Sequence, residues 1–262
     1  MKRTLGHALL SVVVACGGDG EVGSDASPSA DAESPDAVVD GAPGLREGQV
    51  FIGEASIPAE VSVAYAMIVD GPLIEPLAEA DGCLSAPDTP GSSLAAGAIA
   101  ITGTTAPITL AQERDGDVYV PTSPPPPDLF TAGETLTVTS TGATVPAFSG
   151  SVVAPVELGA VGFPATLARS APATMTWAAG AADFMIILIA SATSTQGAIL
   201  CRVPDTGSFT LSPAALALLP AAVTEVRIVT YRVEETEVAA GAWRVFLRAA
   251  DGVTSDAIPF GA

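Results

Sequence analysis

The sequence predicts an all-β fold made of antiparallel β-sandwich units, with one short helix near 213–219. Three observations carry this. From Val50 onward, short runs rich in Val, Ile, Thr and aromatic residues recur, the composition of half-buried strands. Clusters of Gly, Pro and Asp interrupt them at the spacing of about 8–12 residues typical of sandwich folds. Only 212–220 carries start and stop signals of a helix.

Taken in order, the first clear strand is Glu60–Val69, stopped by the turn signal Asp70-Gly71-Pro72. Ala98–Ile101, Ile108–Leu110 and Val118–Val120 are short strands. Between the last two, Glu113-Arg114-Asp115-Gly116-Asp117 reads as a hairpin loop, because Asp-Gly tolerates positive φ. Its acids could also ligate calcium. The four prolines 124–127 lack amide donors and demand a loop. Glu134–Thr139 then alternates, with Leu136 and Val138 on one face, and Phe148–Val153 offers a further strand.

The pattern restarts around Pro155–Pro164. Thr174–Trp177 ends at a Gly-containing turn. Phe184–Ala190 is apolar throughout and reads as a strand buried on both faces. Gly197–Val203 puts Ile199, Cys201 and Val203 on one face, and Ser208–Leu211 follows. Ser212 can cap a helix, Pro213 suits its first position, and Pro220 stops it. Val223–Val233 and Trp243–Ala249 are the clearest strands. In the second, Trp243, Val245 and Leu247 face one way, and Arg244, Phe246 and Arg248 the other. Glu234-Glu235-Thr236-Glu237 between them reads as a solvated turn, and Ala257–Phe260 closes the chain.

The two halves end alike: Ala132-Gly133, a strand, then Pro146-Ala147-Phe148, against Ala240-Gly241, a strand, then Pro259-Phe260. This implies two related sandwich units of immunoglobulin-like type, 45–155 and 156–262. The second unit, with its Thr-Trp strand, apolar strand, Cys strand and Pro-flanked helix, resembles uncharacterised lipoproteins of GC-rich Gram-negative bacteria, a resemblance that implies no particular activity.

The N-terminus has its own logic. Lys2 and Arg3 precede a short apolar run, Ala8–Ala15, that ends in small residues. This is a secretory signal. The run is far below the ~20 residues needed to span a bilayer. Val13-Val14-Ala15-Cys16 resembles the lipobox of bacterial lipoproteins, with Val14 where Ser or Ala is commoner. The resemblance implies a signal peptide over 1–15, cleavage before Cys16, and lipidation of the Cys16 thiol and the new amine. The membrane partner is then the lipid itself. Gly17, in place of Asp, implies delivery to the outer membrane. Ordinary secretory cleavage is the alternative reading of Val13 and Ala15. Residues 16–44 hold Gly, Ser, Ala, Pro and seven acids with no basic residue. Too apolar-poor to offset ordering entropy, they read as a self-repelling disordered tether.

Removing Lys2 and Arg3 leaves eight of the ten basic residues, all Arg, against 29 acids, a net charge of −21. Such a balance argues against nucleic acid and anionic lipid surfaces as partners. The same cleavage removes His7, the only histidine, and Lys2, the only lysine. A Ser-His-Asp triad, a Cys-His pair and a Ser-Lys dyad are thereby excluded from the mature chain, as are the usual His-containing zinc sites. No Walker or Rossmann glycine motif occurs. No cofactor and no metal site are expected. The one chemistry left open is a carboxylate acid–base pair of the glycosidase kind.

Cys83 and Cys201 remain. An even pair in an exported chain is a disulfide candidate; two separate buried thiols are the other reading. The expected function is a non-catalytic binding or structural module at the cell envelope. A carbohydrate-binding or adhesive module is one alternative, although Trp177, Trp243 and Tyr119 sit in core-like strand patterns; a carboxylate-dependent hydrolase is the other.

Overall fold

A computed structural model describes residues 46–261, apart from 57–60, 74–77, 86–92, 114–115, 117 and 194–196. The signal, Cys16 and the tether lie outside the described residues. Apart from one short helix, the regular structure of the described chain is all strand.

In the first half, β1 (Glu47–Ser56) and β2 (Val61–Val69) form an antiparallel pair. A small hairpin follows, β3 (Ala78–Ala80) and β4 (Cys83–Ser85). Its two-residue turn, Asp81-Gly82, has φ of 51° and 74°, as a hairpin turn with two positive-φ positions requires. Then come β5 (Ile99–Thr102), β6 (Ile108–Gln112), β7 (Tyr119–Pro121), β8 (Thr135–Ser140) and β9 (Ser149–Val153). β6 and β7 are hairpin partners, and Gly116 takes a positive φ of 77° in the loop between them. The four prolines lie in the loop between β7 and β8.

The second half holds β10 (Leu167–Ala168), β11 (Ala173–Thr176), β12 (Phe184–Ser191), β13 (Ala198–Val203) and β14 (Ser208–Leu211). Helix α1 (Pro213–Leu216) starts with Pro213 and is capped by Ser212, whose hydroxyl accepts from the Ala215 N–H at 3.0 Å. The chain ends with β15 (Glu225–Ala240), β16 (Trp243–Thr254) and β17 (Ile258–Gly261).

Most strands join one sheet, in the order β3-β4-β13-β12-β15-β16-β1-β2-β7-β6-β5-β8-β9, while β11 and β14 form a separate pair. The expected boundary at Pro155 falls between β9 and β10, yet strands from either side of it share the sheet. β1 runs parallel to β16, with Glu47 opposite Arg244 and Ser56 opposite Val253. β4 pairs with β13. The long β15–β16 hairpin is the spine that makes this possible.

The acids at 234–237 do not form a turn. β15 continues through them to Ala240, and the chain reverses at Gly241. The physical reason lies across the hairpin: Glu235 is opposite Arg248, and the acids on that face pair with arginines. Glu235 meets Arg248 and Arg202, and Glu237 meets Arg244. Charge compensation lets a strand run through residues that, read singly, look like a solvated turn.

Period-two alternation along the spine feeds three buried clusters. Val50, Ile52, Leu136, Val138, Val245 and Leu247 share the first, between β1, β16 and the β5–β9 layer. The second lies between β12, β13, β15 and the layer of β11, β14, α1 and β17; Met185, Ile187 and Ile189 enter it from β12. The third uses the opposite faces of the same strands: Phe51 and Tyr65 from β1–β2, Ile186 and Leu188 from β12, and Tyr231 from β15. β12 is therefore buried on both faces, as its unbroken apolar run predicts. Gly150 on β9 sits against Val238 and Leu247, where any Cβ would collide with the Val238 side chain. Its lack of a side chain lets β9 close over the spine.

Candidate functional site

Cys83 and Cys201 are directly opposite each other on β4 and β13 and form a disulfide. Both are fully buried in the second cluster. The bond spans 118 residues. In the chain-entropy picture a loop of that length stabilises the fold by about 4–5 kcal/mol. Cys16 lies outside the described residues.

The densest polar arrangement is on the face of the third cluster, at its end near the β15–β16 turn. Arg248 on β16 is fully buried. Its Nε donates to Glu235 Oε2 at 2.6 Å and its Nη1 to Gln49 Oε1 at 2.5 Å. The Gln49 amide donates onward to the Tyr65 hydroxyl at 2.9 Å. Arg202 on β13 lies over the Phe184 ring at 3.8 Å and 3.5 Å from Glu235. Exposure rises outward along this file. The side chains of Arg248, Glu235 and Arg244 are 0%, 15% and 44% exposed. Two buried atoms there have no hydrogen-bond partner, Arg248 Nη2 and Glu47 Oε1. Alternation places all of these residues together: Gln49 on β1, Glu235 on β15 and Arg248 on β16 project to the same side as Phe51 and Tyr231. At the outer end, the Arg244 guanidinium bonded to Glu237 holds that carboxyl below the usual range against a smaller opposing effect of burial.

A second buried pair sits in the other lobe. Arg232 Nε donates to Asp205 Oδ2 at 2.8 Å, and the Trp177 indole N–H donates to Asp205 Oδ1 at 2.8 Å. Arg232 also donates to the carbonyls of Ala178 and Glu157 at 2.6 and 3.0 Å. Burial alone would raise the Asp205 carboxyl. The hydrogen bonds from Arg232 and Trp177, the guanidinium charge and the Gly180 N–H outweigh it and hold the group below the ordinary carboxylate range. This network ties the loops at 156–157 and 177–180 to the spine.

Two neighbouring carboxyls shift the other way. Burial raises Glu234, and the charge and hydrogen-bonding contact of Asp183 raise it further, with Arg232 opposing. Burial raises Asp251 too, against the N–H of Leu158, which donates to it at 2.6 Å. Among the described residues, no group of three or more His, Cys, Asp or Glu is placed to hold a metal ion.

The aromatics whose strand patterns suggest core are inward. Tyr119 and Trp177 are buried, and Trp243 is partly buried against the first cluster. The Tyr119 hydroxyl oxygen accepts the Ala96 N–H at 2.6 Å inside the fold. Arg46 lies over Trp243 at 4.8 Å and pairs with Asp70 at 2.8 Å. The outer faces carry hydroxyls instead: Thr137 meets Ser151, and Thr174 meets Thr210, each at 2.9 Å. Sequence reasoning had Cys83 and Cys201 as a disulfide candidate beside the reading of two separate buried thiols. It missed the arginine file, because its partners are 199 residues apart in the case of Gln49 and Arg248. The signal that could have found it was Arg244 and Arg248 on one strand face, opposite the acids of the preceding strand.

No protein-family model matches the chain, and no curated protein matches it.

Proposed function

We propose that the chain is an exported lipoprotein of the cell envelope, anchored by lipid on Cys16, whose folded part is a non-catalytic binding or structural module. The observation that carries the reading is the N-terminal pattern: a basic start, a short apolar run, then Val13-Val14-Ala15-Cys16 followed by an acidic spacer. The buried Cys83–Cys201 bond supports it from the other end of the argument, because such bonds persist in oxidising compartments outside the cytoplasm. The ion pairs also fit a supporting role. The two buried arginines are each committed to carboxylates and carbonyls of the fold, so their charges serve architecture.

Lipid at Cys16, a tether of about 28 residues spanning roughly 30 Å on average, and an acidic domain describe a module held off the membrane by its own charge. Outer-membrane delivery follows from Gly17 behind the lipidated cysteine. Cells fed labelled palmitate should incorporate it into the wild-type protein and not into Cys16→Ser. Equal labelling of both, or none in the wild type, overturns the anchor. Accumulation of an uncleaved protein in the cytoplasm overturns export as well.

A further inference from the structure

The β3–β4 hairpin is an arm of the first half of the chain laid on the edge of the second. It extends β13, with Cys83 opposite Cys201 and Ser85 opposite Ile199. Besides the disulfide and the short β4–β13 ladder, its side-chain packing is light, with half-buried Leu84 against the third cluster. From Ala78 to Ser85 the only buried residue is Cys83; Ala78, Glu79, Asp81 and Gly82 are exposed, and Ala80, Leu84 and Ser85 half-buried. Each strand is three residues long, too short for an isolated hairpin to persist in water. One polar contact helps: the hydroxyl of Ser212, the cap of α1, donates to the Asp81 carboxylate. β13, by contrast, is almost wholly buried, with Ile199, Leu200 and Cys201 fully so.

We infer that the Cys83–Cys201 bond is a lock on this arm, closed only after export. In the reduced chain the arm leaves β13, which becomes an uncovered apolar edge, the kind of edge that invites wrong pairing. Oxidation completes the fold: the Cys83 and Cys201 thiols lose two protons and two electrons, the S–S bond forms, and a protein or small-molecule disulfide accepts the electrons and leaves as a dithiol. The placing of this step after export rests on the proposed lipoprotein reading; the lock itself rests on the burial pattern alone. The chain therefore stays unfinished in a reducing compartment and finishes in an oxidising one.

The test is hydrogen exchange on the full-length purified protein, oxidised, and after refolding in excess dithiothreitol. A Cys83→Val/Cys201→Val variant, which fills the site without a bond, is measured alongside. In both bond-free samples, amides of 78–85 and 198–203 should exchange at least about 100-fold faster than in the oxidised protein. Those of 47–56 and 243–254 should remain at least about 100-fold slower than the arm, accelerated only by the drop in global stability. The melting temperature should fall by about 10–20 °C, the shift expected for a loop this long in a chain of this size. Arm peptides equally protected with and without the bond overturn the lock, because packing alone would then suffice. Loss of protection throughout the chain overturns it too, because the arm would not be a separable element. Neither readout involves signal or lipid, so failure here and failure of palmitate labelling at Cys16 are distinct results.

Discussion

Replacing Asp205 by alanine tests whether the second lobe is organised around a buried charge. Asp205 and Arg232 have side chains only 2% and 5% exposed. The substitution removes the acceptor for Arg232 Nε, for its Nη2 at 3.4 Å, and for the Trp177 indole N–H. Stranding one partner of a buried pair costs about 3–5 kcal/mol. Arg232 keeps its bonds to the Ala178 and Glu157 carbonyls, so the loss should sit near the lower end, about 3 kcal/mol, or a melting shift of about 6–12 °C. The pH dependence gives an independent sign. The folded Asp205 carboxyl titrates below its ordinary value. Its contribution is therefore fully present above the unfolded carboxylate range of about 3.9, and is lost as pH falls through the lower folded value. Chemical denaturation from pH 7 to pH 2 should show a wild-type decline on the acid side that Asp205→Asn flattens. A double-mutant cycle with Arg232→Met should show coupling well above the about 0.5 kcal/mol of independent sites. A loss under 1 kcal/mol for Asp205→Ala, with additive effects in the cycle, would mean that the lobe is not organised around this buried pair.

Other substitutions probe the same packing. Gly180→Ala should destabilise by about 1–3 kcal/mol in thermal melts, since its Cβ would fall on Asp205 Oδ2 and 2.8 Å from Arg232 Nη2. Gly150→Ala should cost a similar amount by forcing β9 away from Val238 and Leu247. Arg248→Met should cost about 3 kcal/mol in urea unfolding, the low end for a broken buried pair, because Glu235 retains Arg202. Glu234 has a raised carboxyl, so the folded state holds that proton more tightly and stability declines as pH rises from the unfolded value through the folded one. Glu234→Gln should remove that decline and leave the protein more stable at neutral pH, read from urea midpoints between pH 4 and pH 8.

Much of the fold was legible because alternation is a local signal. Phe184–Ala190 announced a strand buried on both faces, and Ser212-Pro213 announced the helix start; both stand in the structure. What stayed illegible was pairing at long range. Nothing near Glu47 says that it lies beside Arg244 in a parallel ladder, because parallel partners need no shared turn. The Glu234–Glu237 segment misled for a related reason: its counter-charges, Arg202, Arg244 and Arg248, lie on other strands. The β3–β4 hairpin was missed although Asp81-Gly82 is a hairpin signal, since strands of three residues show almost no alternation. Of the candidate site residues, Cys83 and Cys201 were readable by counting as a disulfide candidate, but only their pairing across β4 and β13 decides between a bond and two separate thiols. The arginine file required the fold.

The most direct test of the account is the identity of the mature N-terminus. Protein taken from the membrane fraction of its native cells should yield an N-terminal peptide beginning at Cys16, with a diacylglyceryl group on sulfur and an acyl chain on the amine, by intact-mass and fragment-ion measurement. A peptide beginning at any other residue, or Cys16 present as an unmodified thiol, would contradict it.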